Sequence, residues 1–144
     1  LSDLYHPCQA LADLLTLHEQ FGELSKVHLA FVGDGNNVCH SLMLGAAIMG
    51  MDLTVITPPG YGPDAHVLLK AQQMAAKSGA KLVLSQHLSS AAGVEAVKHF
   101  MHCLPAHRGQ EVTSEVLDSE CSLVLQQAEN RMHAQNAVLV SLFS

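Results

Sequence analysis

Residues 100–109, Phe-Met-His-Cys-Leu-Pro-Ala-His-Arg-Gly, bring a thiol, imidazole rings and a guanidinium group into one short stretch. Apolar residues come first and polar residues follow, which is typical of a buried strand that ends in a loop. In parallel α/β sheets, such strand ends hold the ligand. A functional site is therefore expected here first. Cys103, beside a positively charged loop, is the cysteine most suited to reactivity.

A zinc site is the alternative use of this stretch, because His99, His102, Cys103 and His107 all carry metal-binding side chains. In a strand, however, His102 and Cys103 would point to opposite faces. The sequence offers no second cluster to complete a closed tetrahedral site. We therefore predict no metal.

The segment His6-Pro7-Cys8-Gln9 places two polar side chains at the start of a predicted helix. Proline suits the first helical turn, and His6 and Gln9, three residues apart, share one face. An imidazole and an amide there could hold a small polar ligand near the positive end of the helix. Ordinary capping is the alternative, and the spacing alone favours it.

Two further segments have the residue types of a binding site. Residues 33–37, Gly-Asp-Gly-Asn-Asn, lie between a predicted strand and a helix, where backbone N–H groups bind anions or carboxylates. Asn37 is the expected N-cap. The loop is neither a Gly-x-Gly-x-x-Gly fingerprint nor a P-loop, and a tight turn explains it as well as a ligand does. Arg131 could bind a phosphate or carbonyl oxygen, although a solvated helix face is the simpler interpretation.

Strands and helices alternate along the chain. Short apolar runs predict strands at residues 27–32, 53–57, 81–84 and 100–104, and a fifth extended piece at 122–125. Helical spacing predicts helices at residues 8–20, 38–49, 64–78, 89–99, 112–117 and 127–143, with Gly79 ending the third and Ser89 or Ser90 capping the fourth. This alternation predicts an α/β fold, a three-layer sandwich with a parallel Rossmann-like sheet.

The composition limits the classes of protein to consider. The chain of 144 residues is 49% apolar and 14% charged, with a formal charge of −6, which suits one folded domain. Its seven basic residues form no stripe, so no nucleic-acid partner is expected. No apolar run is long enough to cross a bilayer, so no membrane partner is expected. The four cysteines lack disulfide-type spacing, which favours reduced thiols and a cytoplasmic location. The chain opens at Leu1 without a starting Met, so we expect a piece of something longer.

Taken together, the motifs resemble those of the aspartate/ornithine carbamoyltransferase family, of the ornithine type. His6-Pro7-Cys8-Gln9 with Leu11-Ala12-Asp13 is similar to the family's carbamoyl-phosphate helix, and residues 33–37 followed by Ser41-Leu42-Met43 are similar to its amino-acid-binding loop. Residues 102–109 carry its most specific signature, His-Cys-Leu-Pro, and Ala128-Glu129-Asn130-Arg131 supply a fourth motif. The four motifs occur in the family's order, nearly end to end.

The resemblance implies attack of the δ-amino group of ornithine on the carbonyl carbon of carbamoyl phosphate, giving citrulline and phosphate without cofactor or metal. By similarity, His6 and Arg131 would face the carbonyl oxygen, where positioned donors stabilise a tetrahedral intermediate. Gln9 and the Leu104 carbonyl group would hold the carbamoyl NH2 group. Cys103 would lie at the δ-amino group, and Asn37 would bind the ornithine carboxylate.

The sequence departs from the family pattern in two respects. The family has an N-terminal domain with a Ser-Thr-Arg-Thr phosphate loop, and the motif is absent here. The family also has a strand with Asp-x-Trp and Ser-Met-Gly segments before the His-Cys-Leu-Pro strand, whereas Val97-Lys98-His99 runs directly into Phe100. The family's strand order is 3-2-1-4-5, so with one strand lost we expect residues 100–104 to lie beside residues 27–32.

These features predict a single ornithine-binding-type domain at residues 1–144. Residues 1–22 would be a remnant of the interdomain helix, and residues 127–144 the C-terminal helix. Both helices would expose apolar faces unless they pack on each other or on a second copy, and we predict a homo-oligomer. The alternatives are a non-catalytic remnant or engineered scaffold with at most weak amino-acid binding, and a dinucleotide-binding domain.

Overall fold

The structure, a computed structural model, describes residues 1–88 and 99–144. A sheet lies beside a set of helices. The strands are β1 (His28–Val32), β2 (Asp52–Ile56) and β3 (Leu82–Ser85). The helices are α1 (Pro7–Phe21), α2 (Asn37–Met49), α3 (Ala65–Ser78), α4 (Ser114–Leu117) and α5 (Val124–Phe143), and a 3-10 turn spans Leu24–Lys26. The helix predicted at residues 89–99 and its caps lie outside the described residues, apart from His99.

The three strands form a parallel sheet in the order β1-β2-β3. His28 pairs with Asp52 at the start of β1, and Leu53 pairs with Leu82 across β2 and β3. Because β2 has a neighbour on both sides, its last four residues are buried. A parallel sheet flanked by helices confirms the predicted α/β class.

Caps define the helices next to the sheet. The Asn36 side chain accepts hydrogen bonds from the backbone N–H groups of Val38 and Cys39, so Asn36 caps α2 and the predicted cap at Asn37 is wrong. Asp64 caps α3 in the same way. Gly79 ends α3 in the left-handed conformation, with φ 88°, as predicted.

The core is aliphatic, as the composition predicts, and it joins the sheet to α1, α2 and α3. The helices α2 and α3 pack against each other and against the strands that precede or follow them. The buried cluster at the centre consists of Leu17, Leu24, Cys39, Met43, Ala46, Met51, Leu53, Val55 and Ala71.

The predicted fourth strand at residues 100–104 does not form. Phe100 makes a parallel bridge to Ser122, with N···O distances of 2.8 Å from Phe100 to Cys121 and from Leu123 to Phe100. Beyond Phe100, two backbone N–H groups bond to side chains instead of to β1. His102 N donates to Gln127 Oε1, and Leu104 N donates to His102 Nδ1. The expected pairing with β1 is therefore wrong for the described residues.

The fifth extended piece is also shorter than predicted. Only Ser122 takes part in the bridge to Phe100, and α5 already begins at Val124 rather than at Gln127. The short helix predicted at residues 112–117 begins at Ser114.

The first and last helices, α1 and α5, pack extensively against each other. Their interface contains buried polar side chains: Gln9, Asp13, Thr16, Gln127 and Asn130. Of the two arrangements considered from the sequence, mutual packing is the one observed, and the homo-oligomer stays a prediction. Within the part of the chain that the structure describes, no helix has the length and apolar character needed to span a membrane.

Candidate active site

A pocket of about 510 Å³ lies where α1, α5 and the loop after Phe100 meet. Four of the six residues predicted for the site line it, namely Gln9, Cys103, Leu104 and Arg131. They come from three separate parts of the chain and from three of the four motifs. The remaining lining residues are His102, Pro105, Gln127 and Ala128.

The other two predicted residues, His6 and Asn37, do not line this pocket. The His6 backbone N–H donates to Ser41 Oγ at 2.8 Å, which ties the start of α1 to α2. The Asn37 side-chain amide donates to the Ser2 carbonyl oxygen at 2.7 Å. Asn37 therefore lies in the first turn of α2, and its side-chain NH2 group is hydrogen-bonded to the Ser2 carbonyl oxygen.

Arg131 is half-buried and has a guanidinium group that makes no hydrogen bond or ion pair within residues 1–88 and 99–144. Burial, and next the charge of Arg131, lower the pKa of His6. His6 Nδ1 is itself buried and has no hydrogen-bond partner in the described parts of the chain. Buried polar atoms are normally paired, and His6 Nδ1 is an exception within the described residues, like His99 Nδ1 and Ser122 Oγ.

Cys103 opens onto the pocket and is exposed as a residue. Partial burial of its thiol is nevertheless the main reason that its pKa is raised, and the Asp13 and Glu111 carboxylates raise it further. Arg131 acts in the opposite direction but does not outweigh them. The Cys103 side chain is therefore a neutral thiol at physiological pH, not a thiolate.

Leu104 has an unusual backbone conformation. Its φ is +46°, in the left-handed region that residues other than glycine seldom adopt, and the following peptide bond to Pro105 is cis. Its N–H group donates to His102 Nδ1 at 3.0 Å. The other ring nitrogen of His102 lies 3.5 Å from Glu111 Oε2. Non-glycine residues held at positive φ occur often at ligand sites.

The buried carboxyl group of Asp13 is a part of the site to which the sequence analysis assigned no role. Gln9 Nε2 and Gln127 Nε2 both donate to Asp13 Oδ1, at 2.8 and 2.6 Å. Burial raises the pKa of Asp13 to about 6, although these hydrogen bonds and the charge of Arg131 act to lower it. The signal in the sequence was a carboxylate one helical turn after Gln9, on the face of α1 that also carries Thr16.

The described ranges, 1–88 and 99–144, contain no group of three or more His, Cys, Asp or Glu side chains placed to hold a metal ion. His102 and His107 instead share the carboxylate of Glu111, with the nearest ring nitrogens at 3.5 and 3.2 Å.

Comparison with known proteins places this arrangement in a family. The model of the aspartate/ornithine carbamoyltransferase Asp/Orn binding domain matches residues 25–98 and 93–142. This chain belongs to that family. The ornithine carbamoyltransferase of Shewanella oneidensis is 50% identical over 180 aligned positions, which cover 100% of this chain and 60% of that protein. The enzyme of Carboxydothermus hydrogenoformans is 46% identical and is covered over 58% of its length.

Solved structures of family members have the same fold. The ornithine carbamoyltransferase of Gloeobacter violaceus matches with a TM-score of 0.90 and 41% identity, over 99% of this chain and 60% of that one. The Pyrococcus furiosus enzyme matches with a TM-score of 0.86 and 42% identity, over 96% of this chain and 56% of that one. The chain therefore spans about 60% of the length of its relatives.

The alignment to the Shewanella protein also contains an internal gap. It runs over 180 positions, whereas this chain has 144 residues, so at least 36 positions of the relative face no residue here. The family model matches in two pieces that meet at residues 93–98. The two pieces overlap at these residues, close to where the sequence analysis placed the missing segment.

Proposed function

We propose that this chain is the ornithine-binding part of an ornithine carbamoyltransferase. The reaction is transfer of the carbamoyl group from carbamoyl phosphate to the δ-amino group of ornithine, giving citrulline and phosphate. The observation that carries the proposal is one pocket lined by Gln9, Cys103, Leu104 and Arg131, drawn from distant parts of the chain. The phosphate-binding residues would come from the family's other domain.

Arg131 and His6 are suited to stabilise the transition state. When the amine attacks, the carbonyl oxygen gains negative charge, and positioned donors lower the energy of that state. The Arg131 guanidinium and His6 Nδ1 make no hydrogen bond among the described residues. They lie close enough for Arg131 to lower the pKa of His6. An oxyanion placed between them would satisfy both.

Gln9 and Leu104 are suited to orient the carbamoyl group. The NH2 group of carbamoyl phosphate needs acceptors, and both residues that the family resemblance assigns to it line the pocket. Gln9 Nε2 is engaged by Asp13, at 2.8 Å, so its side-chain oxygen is turned toward other partners. Holding two reactants in a fixed geometry is itself a large contribution to rate.

Cys103 is suited to meet the attacking amine as a neutral group. The δ-amino group of ornithine must lose a proton before it can attack, and a thiolate beside it would favour the ammonium form instead. The raised pKa of Cys103 keeps the thiol protonated, so the free amine is not opposed by a neighbouring negative charge. As the amine bonds to the carbonyl carbon, the carbon–oxygen bond to phosphate breaks, and the second proton of the amine is taken up by the departing phosphate.

Asn37 is proposed to bind the ornithine carboxylate at the first turn of α2. The N-terminal turn of a helix attracts anions. The Asn37 amide, now bonded to Ser2 O, would exchange that partner for the carboxylate. A structure of acetylornithine transcarbamylase complexed with acetylcitrulline, 28% identical with a TM-score of 0.85, supports an amino-acid ligand in this fold.

We also propose a cytoplasmic location and a homo-oligomer. All four cysteines are free, which suits a reducing compartment. Apolar side chains at the end of α5 are exposed, with Leu142 and Phe143 at 72% and 85%. A second copy covering them would remove apolar area from water.

The test is a citrulline assay with ornithine and carbamoyl phosphate. It uses this chain alone and this chain supplied with the N-terminal part of the Shewanella relative. We expect citrulline from the supplemented mixture and a loss of at least about a hundredfold in kcat for Cys103→Ala. Cys121→Ala, an exposed cysteine outside the pocket, is the matched control. No citrulline in either mixture, with no ornithine binding by calorimetry, would leave the non-catalytic alternative.

A further inference from the structure

A line of hydrogen bonds connects α1 to the reactive loop through one side chain of α5. Gln127 Nε2 donates to Asp13 Oδ1 at 2.6 Å, and Gln127 Oε1 accepts from the His102 backbone N–H at 2.9 Å. Gln9 Nε2 donates to the same Asp13 oxygen at 2.8 Å. The Gln127 amide therefore uses its donor on one helix and its acceptor on the loop.

These side chains are buried, so their pairing matters energetically. Gln9, Asp13 and Gln127 are only 2%, 3% and 3% exposed. A buried amide or carboxyl group that loses its partner has a large desolvation penalty. The orientation of the Gln127 amide is consequently set by Asp13, which accepts its N–H. If the Gln127 amide were flipped, its oxygen atom would face the Asp13 carboxyl oxygen, and this hydrogen bond would be lost.

The bond to His102 continues into the pocket. His102 Nδ1 accepts from Leu104 N at 3.0 Å, so the position of the His102 backbone and ring determines the turn at Leu104. Cys103 lies between these two residues. Its thiol and the positive-φ backbone of Leu104 are thus connected to the Gln127 side-chain oxygen through His102.

We propose that Gln127, oriented by Asp13, is a positioning residue that holds the Cys103 thiol and the Leu104 carbonyl group at the pocket. Its role in the reaction rests on the proposed carbamoyl transfer. The positioning itself is tested without turnover, so failure of one idea is distinguishable from failure of the other.

Three elements that neighbour Asp13 carry charged or titratable groups: α5, the loop after Phe100 and α2. From α5 the Arg131 guanidinium acts on it, and from the loop Cys103 is the group that senses its charge. On α2, which also packs against α1, Cys39 and His40 are buried, and neither contributes to the shift in the pKa of Asp13. The hydrogen bonds from Gln9 and Gln127 favour the ionised carboxylate.

The experiment measures hydrogen exchange of the His102 amide by NMR and, separately, alkylation of Cys103 by iodoacetamide. Arg108 lies between Cys103 and Cys121, so trypsin places the two thiols on different peptides and Cys121 is an internal control. The variants are Gln127→Leu, Gln127→Glu and the double variant Asp13→Asn with Gln127→Glu. Gln126→Leu, at the neighbouring position whose amide bonds to the exposed Glu19 at 2.9 Å, is the matched control.

In Gln127→Leu we expect the His102 amide to exchange and Cys103 to be alkylated at least about tenfold faster, because the anchor is lost. Gln127→Glu places a second carboxylate against Asp13. Exchange of the His102 amide and alkylation of Cys103 should therefore be fast at about pH 8. Both should slow again at about pH 5, where the two carboxyl groups share a proton. The double variant reverses donor and acceptor, since the new amide at position 13 can donate to the new carboxylate at position 127. It should restore protection at both pH values. Gln126→Leu should change neither rate.

Two results would overturn the proposal. One is a folded Gln127→Leu variant with unchanged His102 exchange and Cys103 alkylation. The other is a double variant in which His102 exchange and Cys103 alkylation are as fast as in Gln127→Glu. If Gln127 only fills space, exchanging the hydrogen-bond donor and acceptor between positions 13 and 127 should have no effect. If Gln127→Leu does not fold, the proposal is tested by NMR on the wild-type protein at a series of pH values. The His102 amide and the Gln127 side-chain amide should then shift together as Asp13 titrates, and independent shifts would contradict the proposal.

Discussion

A Cβ atom added to Gly35 would lie 2.2 Å from the backbone nitrogen of Pro63. The loop after β1 and the loop before α3 thus touch backbone to backbone, and Gly35 N donates to Tyr61 O at 2.8 Å. The contact sits just before the Asn36 cap of α2. It therefore determines where the first turn of α2, with Asn37, is placed.

Gly35→Ala should lower the free energy of unfolding by about 2–4 kcal/mol, because main chain rather than a flexible side chain must move. Gly62→Ala is the matched control, since nothing lies within 4 Å of its added Cβ, and it should change stability by less than about 1 kcal/mol. Urea unfolding followed by circular dichroism measures both. Equal effects of the two substitutions would show that the loops are free to separate.

Asp13→Asn should change how stability depends on pH. Burial raises the pKa of Asp13 to about 6 from its ordinary value of 3.8, so the folded protein binds a proton between these values that the unfolded chain has released. Stability contributed by Asp13 is therefore present at low pH and is lost as pH rises through about 6. The loss amounts to roughly 3 kcal/mol. Relative to wild type, Asp13→Asn should thus gain stability between about pH 4 and pH 7.

Asp118→Asn is the control of opposite sign for that measurement. The Arg108 side chain hydrogen-bonds to Asp118 and lowers its pKa, so its contribution is present at neutral pH and is lost as pH falls. Denaturant unfolding at several pH values gives both curves. A difference between wild type and Asp13→Asn that does not vary with pH would contradict the buried, protonatable carboxyl group.

Arg131→Gln should lower kcat of the supplemented enzyme by about a hundredfold to a thousandfold, because a donor to the developing oxyanion is removed. Arg108→Gln removes another guanidinium group, which instead pairs with Asp118 at 2.6 Å on the surface. That variant should keep near-normal turnover in the citrulline assay. Comparable losses in the two variants would mean that Arg131 acts only through net charge.

The cysteines should differ sharply in their reaction with a thiol reagent. Cys39 is fully buried, and burial raises its pKa to about 12, whereas Cys121 is exposed. We expect Cys121 to react within the mixing time of a dithionitrobenzoate assay and Cys39 to react only at the rate of unfolding. In denaturant the two should react alike. Fast labelling of Cys39 in the folded protein would contradict the core described above.

The sequence predicted the first three strands and the helices between them closely, because each has both an apolar pattern and a local end signal. Gly79 and Asp64 are such signals, and they ended and began α3 within one residue of the prediction. The stretch from residue 100 to residue 104 has the same apolar pattern, yet it forms no strand. The competing partners of its N–H groups, Gln127 and the His102 ring, are side chains whose positions depend on tertiary packing.

Four of the six residues predicted for the candidate site line one pocket, whereas His6 and Asn37 do not. Motif order and residue type identified Gln9, Cys103, Leu104 and Arg131, which line one pocket. The role of Asp13 was missed because a carboxylate on a helix is normally taken for a solvated residue. In the structure Asp13 is buried where α5 packs against α1, and Gln127 of α5 bonds to it. Asn37 was assigned both a cap and a ligand, whereas Asn36 is the cap and Asn37 bonds to Ser2.

The interface between the first and last helices has a consequence for biosynthesis. Asp13 and Gln127, like Thr16 and Asn130, are separated by 114 positions in the chain. In a growing polypeptide the α1 side chains therefore stay hydrated and without these partners until the residues of α5 have been synthesised. A nascent chain stalled before residue 124 could form the early strands and would still lack the wall of the pocket that α5 provides. The pocket lined by Gln9 and Arg131 can therefore form only after α5 has been synthesised and has packed against α1.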